Sequence, residues 1–109
     1  MLSMCDGHCD CEAIVKNERE SKNWFATKFR PVFDIREDYK TSGQIDLIDK
    51  EGLNFGEEGL ANITFLSHEA YPRTLWIGRK ITFGGEGKNI SGYVIVTKIF
   101  NKLLEYTPN

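Results

Sequence analysis

Hydrophobic and polar residues alternate with a period of two along most of this chain. No stretch sustains the three-and-four spacing of an amphipathic helix. Leu75-Trp-Ile-Gly-Arg-Lys-Ile-Thr-Phe83 reads as the clearest strand. Leu75, Ile77, Ile81 and Phe83 share one face, with Arg79 the exception, while Lys80 and Thr82 lie on the other. Phe29, Phe33 and Ile35 alternate with Arg30, Asp34 and Arg36 in the same way, and Ala61, Ile63 and Phe65 with Asn62 and Thr64. Ile45 and Leu47 flank Asp46, and Glu12–Lys16 predicts a first strand. Tyr93-Val-Ile-Val-Thr-Lys-Ile-Phe100 is rich enough in β-branched and aromatic residues to predict a mostly buried strand. Leu103–Tyr106 reads as its extension.

Breakers fall between these runs. Turns are predicted at Ser42-Gly43, at Glu51-Gly52 and Gly56–Gly59, at Ala70-Tyr-Pro72, and at the hairpin turn Gly84–Asn89. Pro31 cannot donate to a ladder, so the strand carrying Phe33 and Ile35 is expected to start there. Six short strands so spaced predict an all-β antiparallel barrel or sandwich.

Composition narrows this further. A chain of 109 residues can bury a core without staples, and 40% hydrophobic with 28% charged residues is ordinary for a soluble domain. No apolar run approaches the roughly 18 residues that span a bilayer, and Met1–Met4 leads into polar sequence. A cytoplasmic protein with no membrane partner is expected. The formal net charge of -2 lacks the basic excess of a dedicated nucleic-acid binder, so any RNA contact requires a local basic patch.

Candidate chemistry is sparse. Cys5, Cys9 and Cys11 crowd the N-terminus with His8 among them. An odd count in seven residues is a poor disulfide framework, and structural zinc sites draw ligand pairs from separated segments. The expected state is a flexible, reduced leader over residues 1–10, ahead of one domain over 11–109. A metal held by Cys5, His8, Cys9 and Cys11 is the alternative. Ser67-His68-Glu69 are sequence neighbours in a polar connector, where three side chains rarely converge on one site. Gly84–Asn89 lacks the spacing of a phosphate-binding loop, which places GTP hydrolysis out of reach. The carboxylates Asp34, Glu37, Asp38, Asp46, Asp49, Glu51, Glu57 and Glu58 fall mostly at strand ends and turns, as solvated surface. No catalytic group and no cofactor are expected.

Phe29-Arg30-Pro31, followed by Ser42-Gly43 and later by Gly92-Tyr-Val-Ile-Val-Thr-Lys-Ile99, resembles the third domain of elongation factor Tu. The likeness runs from about Cys11 to about Phe100. It implies a small six-stranded antiparallel Greek-key barrel that binds other molecules and does no chemistry of its own. In that family the domain packs on a GTPase domain and touches the T-stem backbone of aminoacyl-tRNA. The departures are local: Ser21-Lys22 stands where the family has a basic Arg-His pair. Val32 stands in place of glutamine, Phe55-Gly-Glu-Glu58 in place of a Pro-Gly-Asp turn, and Val94 in place of a second glycine. These changes spare the fold, but tRNA contact does not follow from it.

Two groups of residues are the candidate binding sites. Basic and aromatic residues interleave at Lys22, Trp24, Lys28 and Arg30, which with Lys88 form a candidate face for tRNA or other structured RNA. Arg73, Trp76, Arg79 and Lys80 combine the residue types that dominate protein interfaces. The leading expectation is a binding module for a translation-related or GTPase-type protein partner, with structured RNA the alternative.

Overall fold

The computed structural model describes residues 9–18, 25–26, 30–36, 39–48, 50–54, 56–66, 73–84 and 90–106. Among them there are eight strands and no helix, and therefore no helix long and apolar enough to cross a membrane. The strands are β1 (Cys11–Asn17), β2 (Phe25–Ala26), β3 (Val32–Arg36), β4 (Tyr39–Leu47), β5 (Gly52–Leu53), β6 (Glu58–Phe65), β7 (Lys80–Gly84) and β8 (Ile90–Ile99). Six of them close a barrel in the order β1-β6-β4-β3-β7-β8, with β8 pairing back onto β1, and β2 and β5 form a separate pair. Every pairing among these strands is antiparallel. The expected all-β barrel is what forms.

Period-two alternation fills the interior. Cys11, Ala13 and Val15 of β1, Phe33 and Ile35 of β3, and Ile45 and Leu47 of β4 are buried. Ala61, Ile63 and Phe65 of β6, Ile81 and Phe83 of β7, and Val94 and Val96 of β8 complete the barrel core. Leu53, Leu75 and Leu104 add to this core from outside the six strands. At its heart the Phe33 ring meets Phe65 edge-on at 5.1 Å and Phe83 at 5.7 Å. Pro31 stands immediately before β3 and accepts from Gly43 N–H through its carbonyl, as a strand-starting proline should.

Four expectations are corrected. Ser42-Gly43 is no turn but lies inside β4, opposite Val32 and Phe65. A Cβ at Gly43 would come within 2.7 Å of the Phe33 ring, so this glycine makes room for an aromatic residue and bends nothing. The strand predicted over Leu75–Phe83 begins only at Lys80; the residues before it form a turn described below. Leu103–Tyr106 does not extend β8, because a turn over 102–104 separates them. Finally, Cys9 and Asp10, the two leader residues the structure describes, are buried. Asp10 N–H donates to Ile63 O, and its carbonyl accepts from Phe100 and Asn101 N–H. Its carboxylate accepts from Phe65 N–H at 2.6 Å and from the Asn101 amide at 2.8 Å. The leader therefore ends in a tether across β6 and the end of β8. Of the predicted turn over Gly84–Asn89, Gly84 is the last residue of β7, and residues 85–89, like the Ser67-His68-Glu69 connector, lie outside the described residues.

Candidate protein-docking surface

The segment from Arg73 to Arg79 runs beside the chain that follows β8. Arg73 N–H donates to Leu103 O at 3.0 Å, Leu75 N–H to Leu104 O at 2.8 Å, and Tyr106 N–H to Leu75 O at 2.7 Å, making a parallel bridge between Leu75 and Glu105. Leu75 and Leu104 turn into the core, and Thr74 is buried with them. The chain then reverses. Arg79 N–H bonds to Trp76 O at 3.1 Å across Ile77 and Gly78, and Gly78 has φ 90°. This is a type II turn, whose third position demands positive φ and so selects glycine. Gly78 N–H donating to Val96 O, and Val96 N–H to Arg79 O, clamp the turn onto β8. Arg73 itself has φ 59°, left-handed backbone that costs a non-glycine residue roughly 1–2 kcal/mol.

Arg79 locks this arrangement. Its guanidinium donates to Thr74 O within the segment and to Ile35 O of β3, the latter at 2.5 Å. It also lies 5.0 Å from the centre of the Trp76 ring. Half-burial pushes its pKa below the usual guanidinium value by desolvation. Trp76 in turn meets Tyr106 edge-to-face at 6.0 Å. Around this core of contacts the two segments leave Trp76 46%, Tyr106 45%, Ile77 61% and Leu103 46% exposed. Both rings keep nearly half their surface in water while their backbones are fixed by hydrogen bonds, so a partner would find them already ordered.

Trp76 and Arg79 are thus brought together, and Arg73 is exposed at the start of the same segment. Lys80 departs from them: it belongs to β7, and its ammonium lies 4.2 Å over the Tyr93 ring on the barrel's outer face. Ile77, Leu103 and Tyr106 were not among the expected residues. Their signals were available in the glycine after Trp76-Ile77 and in a C-terminal apolar run too irregular to be strand.

Of the other candidate face, Lys22, Trp24, Lys28 and Lys88 lie outside the described residues. Arg30 is exposed just ahead of β3, and its Nε donates to Gln44 Oε1 at 3.0 Å. The Gln44 amide donates onward to both Asp46 oxygens at 3.0 and 3.1 Å.

The metal alternative loses both of its described ligands, while Cys5 and His8 lie outside the described residues. Cys9 is disulfide-bonded, not the reduced thiol expected. Cys11 sits inside the barrel, where burial, with the negative Asp10 and Glu12 adding, pushes its thiol up to about 12. Metals bind the thiolate, which such a site opposes. Among the described residues no group of three or more His, Cys, Asp or Glu is placed to hold an ion. Compared with models of known protein families and with curated proteins, the chain matches none.

Proposed function

We propose that this chain is a non-catalytic binding module that engages a protein partner through the surface built on Trp76, Ile77, Leu103 and Tyr106. The observation that carries the reading is the pair of half-exposed aromatic rings held in edge contact beside a stacked arginine. Trp, Tyr and Arg are the residues on which binding energy concentrates, and apolar residues around them exclude water.

The resemblance to the C-terminal barrel of elongation factor Tu supports a translation-related or GTPase-type protein as that partner. Arg30-Pro31 leads directly into β3, and Gly92–Ile99 lies in β8, so stretches that carry the resemblance lie in or next to barrel strands. A first strand lying beside β6 instead of β3 also agrees with the Greek-key connection implied there.

The test is capture of partners from native lysate by the tagged full chain, by Ile77→Asp and by Tyr106→Ala, each with and without RNase. A protein that survives RNase and is lost from both variants is the expected result. If no protein is retained specifically at physiological salt, the reading fails. A species lost with RNase, whose affinity drops steeply as salt rises, would instead favour structured RNA.

A further inference from the structure

A second site, away from the aromatic surface, lies over the outer face of β4 and β6. There a groove of about 440 Å³ is lined by Arg30, Ser42, Gln44, Thr64 and Leu66, together with Gly43 and Phe65 between them. Arg30 precedes β3, whereas Arg79 binds Ile35 near that strand's far end. Five residues of strand, roughly 16 Å, separate the two sites.

The groove's chemistry is set by how Arg30 is held. Gln44 and Asp46 are two apart on β4 and so share its outer face. Because the arginine can only donate and the carboxylate can only accept, Gln44 must point its oxygen at Arg30 and its amide nitrogen at Asp46. The relay fixes the guanidinium through Nε alone. Its two terminal nitrogens have no partner among the described residues, nor do the hydroxyls of Ser42 and Thr64 that line the same groove. No carboxylate is among the described lining residues. The exposed side chain of Leu66 adds an apolar wall.

We infer that this groove binds a carboxylate carried next to an apolar group, with the two terminal nitrogens of Arg30 grasping both oxygens. A guanidinium presents two parallel N–H bonds at carboxylate spacing, and the volume suits a ligand the size of a dipeptide tail. Arg30 is the binding residue, Ser42 and Thr64 are supplementary donors, and Gln44 is a positioning residue.

The experiment is an amide NMR titration of the full chain with N-acetyl-Ala-Leu bearing a free carboxylate, the same dipeptide as its C-terminal amide, hexanoate, and phenyl phosphate. The free acid should shift the amides of residues 42–44 and 64–66 with a Kd on the order of 1 mM, and the amide should not. Hexanoate binding as tightly as the dipeptide acid assigns the site to small carboxylates. A dipeptide acid that binds at least about fivefold tighter than hexanoate, as a ligand contacting more of the groove should, assigns it to protein C-termini. Arg30→Gln should raise Kd by at least about tenfold, and Thr64→Val by about threefold. Gln44→Ala should weaken the carboxylate severalfold while leaving spectra outside the groove unmoved. The inference is overturned by no shifts at about 20 mM ligand, roughly twentyfold above the expected Kd. Equal binding of acid and amide, tighter binding of phenyl phosphate than of either carboxylate, or an Arg30→Gln variant that binds as well as the parent would also overturn it.

Discussion

Replacing Asp10 tests whether the end of the leader is part of the fold. Asp10 is 2% exposed, and its two carboxylate oxygens take the Phe65 N–H and the Asn101 amide. The position explains the need. Asp10 N–H still bonds to Ile63 O as the β1–β6 ladder runs out at Cys11, so the Phe65 donor beyond meets a carboxylate instead of a strand. In Asp10→Ala the Phe65 N–H loses that acceptor in a buried place and the Asn101 amide loses it in a partly buried one. A hydrogen bond to a charged group is worth about 1.5–3 kcal/mol, and the two share one anchor, so the variant should lose about 3–5 kcal/mol. That is a large fraction of the ~5–15 kcal/mol typical of a domain. Asp10→Asn keeps one acceptor but turns a donor toward a donor, and should lose roughly half as much. Urea unfolding followed by tryptophan fluorescence measures both, with Tm falling by roughly 4 °C per kcal/mol. Hydrogen exchange should show the Phe65 amide opening first. An Asp10→Ala variant within about 1 kcal/mol of the parent at unchanged m-value would show that Asp10 is an ornament of a loose leader.

Gly92→Ala should prevent folding or cost at least ~3 kcal/mol, because its Cβ would stand 2.1 Å from Lys16 O and 2.8 Å from the Phe83 ring, and a backbone oxygen in a paired strand has nowhere to go; circular dichroism and urea titration decide it. Gly78→Ala meets no atom within 4 Å and should cost only the ~1–2 kcal/mol of its left-handed backbone, but it should weaken partner capture by distorting the Trp76–Arg79 turn. Cys11 should stay unlabelled by a thiol reagent in the native protein at pH 8.5 and react once urea is added, as mass spectrometry of its peptide would report. The folded state holds this proton up to about 12 while the unfolded chain releases it near the ordinary thiol value of 9.0, so stability should be constant with respect to this group below about 9 and fall as pH rises from there to about 12.

The barrel was legible because its strands alternate and a closed sheet needs little more than alternation and turns in the right number. Glycine is ambiguous, since one residue type serves two purposes that sequence does not separate. Gly43 looked like a turn and is a hollow for Phe33, whereas Gly78 looked like a strand position and is a turn. Sterics decide between them, and sterics depend on a ring contributed from another strand. Arg79 was noticed for breaking the alternation at an inward position, and the structure supplies the reason: it lies before the strand begins and reaches back to Ile35 O. Tyr106 and Gln44 were passed over because their importance is relational. Each acquires a role only through a residue at least 14 positions away, Trp76 for one and Arg30 for the other.

Closure of the barrel constrains how such a protein can recognise anything. A partner cannot add a strand to a sheet that has no edge, because each of the six barrel strands is already paired on both sides. What remains for the barrel itself to offer is side chains, on its outer face or on segments pinned to it. The two surfaces found here are the two ways of doing that. The groove uses outward positions of β4 and β6, whose spacing the pleat fixes, to aim one cation. The aromatic surface uses segments outside the six barrel strands, which tolerate irregular backbone, and holds them still with carbonyl contacts from a single arginine. If that division is right, Arg79→Met, which preserves the apolar stem but removes the donors, should weaken partner binding while leaving carboxylate binding in the groove unchanged. Equal loss at both would mean that the variant perturbs the barrel itself.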